Sequence, residues 1–177
     1  MTRIVLMTPE QTRNAAPQFV DRRGELAVFR LLANAPQVFA GWTQMVDEVL
    51  DSPTFTARIR ELVTLRVGYL QSSSYEIGQH RAVGRDAGIP AHQLDALTCD
   101  GDLAAGGFDA TERAVLEFVT ELCATNHVRD DVFATTRDAL GEQALTELLM
   151  LVSLYYGLAL VLNAADLGLD KTARLKA

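Results

Sequence analysis

Glu61, Glu76 and His80 are spaced so that they could move a proton. Glu61 interrupts the strongly apolar stretch 59–70, and Glu76 and His80 stand at i and i+4 just beyond the polar turn Ser72-Ser73-Ser74. Side chains four apart on a helix are neighbours, and a carboxylate in an apolar helix needs a partner, because burying an unpaired charge is expensive. Histidine is the natural proton carrier, with an ordinary pKa near neutrality. A carboxylate beside it would fix its tautomer and raise its basicity. Tyr75 could donate to a developing oxyanion, and Gln79, at i+4 from Tyr75, makes a second polar pair on an adjacent face. Two readings stay open: a paired acid–base site, or a polar network that fastens two helices.

For Glu61 to reach His80, the helix after the serine turn must run back antiparallel to the helix before it. Arg58, Arg60 and Arg66 accompany Glu61. At least one of them is expected to pair with a carboxylate, and Arg66 is the candidate substrate-binding cation. No metal site is expected: His92 and His127 lie in separate elements, and HExxH is absent. Phe39 and Trp42 read as core or interface residues, and Tyr155 and Tyr156 as packing residues whose hydroxyls find a polar partner. Asn163 reads as a backbone contact. Asp130 and Asp131 read as a solvated helix start.

Helices account for the positioning. Residues 1–22 are polar and broken by Pro9 and Pro17, which predicts an irregular N-terminal extension, with a single domain over 23–177. Helices are predicted over 24–34, 37–50, 56–70, 74–86, 91–97, 114–123, 130–139 and 142–165. Apolar residues cover most of the circumference of 56–70, so that helix is buried on more than one side, by its own domain or by a partner subunit. Asp109 with Glu112 resembles a capping box. The segment 100–108 reads as a flexible loop, with Gly101, Gly106 and Gly107 as hinges of a possible pocket cover. Strand alternation and a Gly-rich phosphate loop are both missing, so the fold class is all-α.

The 177 residues are 49% apolar and 22% charged with a net charge of −7, which suits one folded domain. The lack of a basic tract argues against nucleic acid as a partner. Cys99 and Cys123 form no CxxC unit and are expected to be reduced structural thiols in a cytoplasmic protein. The apolar run at the N-terminus is too short for a signal peptide. The apolar stretch 148–162, interrupted by Ser153 and Gly157, reads as a core helix rather than a span of roughly 20 residues through a membrane.

The run Arg60-Glu61-Leu62-Val63-Thr64-Leu65-Arg66-Val67-Gly68, followed by Tyr75-Glu76-Ile77-Gly78-Gln79-His80, resembles the carboxymuconolactone decarboxylase family, which includes the alkyl hydroperoxidase D-like proteins. The resemblance covers roughly residues 25–168. It implies an alkyl hydroperoxidase D-like helical domain that assembles as a homotrimer or homohexamer. The peroxidase branch carries a glutamate, a CxxC at the turn and a histidine four residues later. On this chain those positions are Glu61, Ser73, Glu76 and His80, so both thiols are replaced. Peroxide reduction cycles a thiolate through a sulfenic acid, which serine cannot do, so thiol peroxidase activity is expected to be absent.

The decarboxylase branch uses no redox cysteine and acts on a small carboxylated lactone. The resemblance therefore implies a cofactor-independent acid–base enzyme acting on a small organic acid, lactone or carbonyl compound. His80 would be the general acid or base, with Glu61 and Glu76 tuning it and Ser73 and Tyr75 holding the substrate or an oxyanion. The alternatives are a catalytically silent homo-oligomer that binds a small ligand, and an atypical peroxidase-related protein.

Overall fold

A computed structural model describes residues 2–170. Its elements are α1 Pro9–Ala15, α2 Pro17–Arg23, α3 Ala27–Leu32, α4 Pro36–Asp51, α5 Ala57–Leu70, α6 Ser74–Asp86, α7 Ala91–Ala96, α8 Ala110–Thr125 and α9 Asp130–Ala165. Among the described residues the fold is all-α, as expected.

Helix α5 is the central element and packs against α6, α8 and α9. Its low amphipathicity follows from serving two hydrophobic clusters. Val63 and Val67 enter the large core, with Val115, Phe118, Leu148, Leu151 and Leu162. Leu62 and Leu65 enter a smaller core with Ile89, Leu94, Leu97, Phe108 and Leu116. The domain itself therefore buries this helix on both sides.

The N-terminal segment departs from the irregular extension expected for 1–22. Pro9 and Pro17 each stand in the first turn of a short helix rather than breaking one. Proline suits that position, since its missing N–H would have no helical partner there. Thr8 and Gln11 form a capping box on α1, and Phe19 and Val20 of α2 are buried in the large core. Phe19 meets Phe29 edge-on at 4.8 Å, and Phe39 stacks on Trp42 at 6.2 Å. This aromatic cluster locks α2, α3 and α4 together.

The α5–α6 hairpin turns tightly through Ser72, whose φ is 53°. Gly68 O accepts from Ser73 N at 2.9 Å. The turn sends α6 back antiparallel to α5, as the approach of Glu61 to His80 requires. The capping box of Asp109 and Glu112 is present and starts α8 at Ala110, earlier than the predicted residue 114. Gly141, at φ 78° and ψ 166°, breaks α9 into arms 130–140 and 142–165. By length and composition alone α9 is apolar enough to cross a membrane. Its residues Leu145, Leu148, Leu151, Leu154 and Leu162 are nonetheless buried within the domain, while Leu149, Met150, Leu160 and Val161 are exposed.

Segment 100–108 does not cover a pocket beside His80. It folds over the smaller core, where Phe108 is buried. A Cβ on Gly101 would fall 2.4 Å from Ala96 O, and one on Gly106 would fall 2.4 Å from the Phe108 ring. Those two glycines permit close packing rather than hinge motion.

Candidate functional site

The hairpin brings the predicted acid–base group together. Glu61 projects from α5 and His80 from α6, and His80 Nδ1 lies 2.9 Å from Glu61 Oε2, with both residues buried. Burial opposes protonation of His80, but the Glu61 carboxylate, with help from Glu76, outweighs it and holds the imidazole above its ordinary pKa. The His80 ring packs edge-to-face with Tyr155 of α9, with centroids 5.2 Å apart at 88°.

Glu76, one turn before His80, is 2% exposed, and neither of its carboxyl oxygens has a hydrogen-bond partner among the described residues. Burial pushes the Glu76 carboxyl up to about 7, against opposing pulls from His80 and Ser73. Ser73 is the N-cap residue of α6, but its buried hydroxyl caps no backbone N–H. It lies close to Glu76 and pulls its carboxyl toward the charged form, but no formed hydrogen bond joins the two.

A narrow cavity of about 50 Å³ opens onto this group, with Glu76 and His80 in its wall. The rest of the exposed wall is mostly apolar, from Leu26, Val28 and Phe29 around α3, Trp42, Val46 and Leu50 of α4, and Leu154, Leu158 and Leu162 of α9, with Arg23, Tyr75 and Gln79 also contributing. Glu61 and Ser73 stand behind this wall rather than in it. Tyr155 also lines the cavity. Its burial and the nearby charges of Glu61 and Glu76 keep its hydroxyl protonated.

Other predicted site residues are placed differently. Arg66 is buried away from the cavity. Its Nε donates to Thr120 Oγ1 at 2.9 Å, and its Nη1 to Leu97 O at 3.0 Å and Thr98 O at 2.8 Å. It clamps the end of α7 to α5 and α8, because a helix position five residues past Glu61 faces the smaller core. Arg58 does pair with a carboxylate, as expected of one of the three arginines. That partner is Glu112, at 2.6 Å, rather than Glu61. Tyr75 contributes its ring to the cavity, but its hydroxyl donates to Asp170 Oδ2 and accepts from Val28 N. An oxyanion would have to displace those partners.

Sequence reasoning missed three contributors. Asp170 gathers Tyr75, Gln79 Nε2 at 3.2 Å and the α3 backbone at Ala27 N. Arg23 lines the cavity while its guanidinium reaches Asp47 and Asp51. Tyr155 had a visible signal, a polar-tipped aromatic in the most apolar run of the chain. Asp170 and Arg23 had none, since each acts through contacts distant in sequence. Asn163, expected to touch backbone, donates to Gln71 O at 2.8 Å and ties the end of α9 to the hairpin turn.

Both cysteines are unpaired, and neither lines the cavity. Cys99 is exposed, and burial pushes the Cys123 thiol up to about 11. Among the described residues, no cluster of His, Cys, Asp and Glu could hold a metal ion.

Residues 36–121, from the start of α4 through most of α8, match the carboxymuconolactone decarboxylase family. This segment holds Glu61, Ser73, Glu76 and His80, so the chain matches the family as a variant without the CxxC pair. An uncharacterized peroxidase-related protein from Ralstonia eutropha JMP134, described as an alkylhydroperoxidase AhpD core, is similar in structure with a TM-score of 0.79. It is 17% identical, over 96% of this chain and 93% of that one. A second uncharacterized peroxidase-related protein, from Silicibacter sp. TM1040, gives a TM-score of 0.76 at 13% identity, over 94% of this chain and 91% of that one. A variant of the debrominase Bmp8 in complex with 2,3,4-tribromopyrrole gives 0.76 at 12% identity, over 97% of this chain and 95% of that one. At such identities the likeness is one of fold. No curated protein matches the chain.

Proposed function

We propose that this protein binds a small organic molecule in the Glu76–His80 cavity and transfers a proton to or from it, without a thiol or a cofactor. One observation carries the reading: the Glu76 carboxyl is buried at the wall of an apolar cavity without a hydrogen-bond partner among the described residues, one helical turn from an imidazole already paired to Glu61. A carboxyl that titrates near neutrality can give or take a proton at working pH. Glu76 faces the ligand and exchanges the proton. The His80–Glu61 pair sits beside and behind it and sets the charge that Glu76 meets. Tyr155, held protonated, is a donor for charge that develops on an oxygen.

The roles thus shift from the expectation in which His80 acted directly. A thiol-dependent peroxidase reading, suggested by the names of the fold relatives, finds a serine and a carboxyl where the two thiols would stand. Binding without turnover is the second reading. It is favoured by the small size of the cavity and by the engagement of His80 Nδ1 with Glu61.

The test is isomerisation of a β,γ-unsaturated butenolide, a lactone that needs only removal and return of a proton. Wild type should accelerate it, and both Glu76→Gln and His80→Asn should abolish the acceleration while remaining folded. Equal rates for the wild type and both variants would leave the silent binding protein. Self-association through the exposed residues Leu149, Met150, Leu160 and Val161 of α9 is the companion proposal, read by light scattering on the purified chain.

A further inference from the structure

We infer that the ligand is an uncharged single-ring carbonyl compound recognised in its enol form, a ring bearing one hydroxyl, and that carboxylate-bearing molecules are excluded. This rests on the acid–base reading above and narrows it.

Size sets the first limit. At about 50 Å³ the cavity is well below the ~150 Å³ of an engineered apolar cavity that takes benzene. One five- or six-membered ring is therefore the most it can receive. Entry requires the half-buried Trp42, Leu50 and Leu158 to give way. Aromatic side chains in the wall, Phe29, Trp42 and Tyr155, favour a planar ring over a branched chain.

Charge sets the second. A carboxylate would enter an almost wholly apolar space that already faces Glu76, with Glu61 directly behind His80. Arg23 is the cation in the lining, and Asp47 and Asp51 both hold it, at 3.2 Å and 2.6 Å. An incoming anion would have to break these pairs and desolvate fully. An ammonium group would likewise have to desolvate fully in a space whose exposed wall is almost wholly apolar.

Hydrogen bonding sets the third. Both Glu76 oxygens are buried without a partner among the described residues, a costly state that a ligand donor would relieve. A hydroxyl donates and accepts, so it suits Glu76 both as a carboxylate and as a carboxylic acid. A keto oxygen only accepts. The enol of a cyclic ketone or lactone is therefore the form that the cavity completes, and binding it more tightly than the keto form is what would speed proton transfer. A phenol is a stable ring of the same kind.

The test uses fluorine NMR on the full chain with para-fluorophenol, para-fluoroanisole, para-fluorobenzoate and para-fluorobenzylammonium. Wild type should bind the phenol at least about tenfold more tightly than the anisole, since the anisole leaves the carboxyl unpaired. The benzoate and the benzylammonium should each bind at least about tenfold more weakly than the phenol. Glu76→Leu, checked by thermal melting, should keep anisole binding and lose the preference for phenol.

Equal binding of phenol and anisole, preference for the benzoate or the benzylammonium, or no binding of any probe would each overturn the inference. Preference for the phenol without butenolide isomerisation would refute proton transfer and leave the ligand class standing. Isomerisation without that preference would refute the ligand class alone.

Discussion

Glu76→Gln separates a titrating carboxyl from a neutral group of the same shape, and its effect on stability follows from the burial of Glu76. The ordinary carboxyl pKa of 4.5 is raised to about 7 in the folded chain. Below the unfolded value both states are protonated, so the group contributes no pH dependence there. As pH rises from 4.5 toward 7 the unfolded chain releases the proton and the folded chain keeps it, so stability falls across that window. It levels off above the folded value. At roughly 1.4 kcal/mol per pH unit, the loss is about 3 kcal/mol, without discount for solvent because Glu76 is 2% exposed. His80, raised in the folded state, adds a loss of the same sign as pH passes its ordinary value of 6.5.

The assay is urea unfolding of wild type and Glu76→Gln at about pH 4.5 and about pH 8. Any fixed penalty for burying the amide cancels when each protein is compared with itself. Between the two conditions wild type should lose about 3 kcal/mol more than the variant, or roughly 6–12 °C in relative Tm for a chain of this size. Parallel pH profiles would refute the reasoning. A wild type that gains on the variant as pH rises would mean that Glu76 is ionised and well partnered.

Arg66→Met should destabilise the chain by about 2–4 kcal/mol in urea unfolding, because it removes three hydrogen bonds from a buried guanidinium. It should leave para-fluorophenol affinity unchanged, and lost affinity with normal stability would restore Arg66 to the site. Thiol labelling near neutral pH should modify exposed Cys99 and leave Cys123, buried and raised to about 11, at least about a hundredfold slower until the chain is denatured. Equal labelling rates would contradict the packing around Cys123. Gly141→Ala should lose about 1–3 kcal/mol, since φ 78° with ψ 166° is a conformation that only glycine adopts without strain. An unchanged urea midpoint would mean that the two arms of α9 form one continuous helix.

What the sequence by itself determined is local. The 3.6-residue periodicity placed α4 to α6 within a residue or so, because helical hydrogen bonds and side-chain neighbours are set by positions three and four apart. The same locality put Glu76 beside His80, and the serine turn made the approach of Glu61 geometrically possible. Tertiary packing decided which of these groups face a ligand. The cavity exists only where α3, α4, α6 and α9 converge. It recruited Arg23 and Tyr155, turned Arg66 into a clamp, tied Tyr75 to Asp170, and left the Glu76 carboxyl without a hydrogen-bond partner among the described residues. A side chain's partners across such a junction lie dozens of residues away, and the solvent it loses there depends on every helix that packs around it.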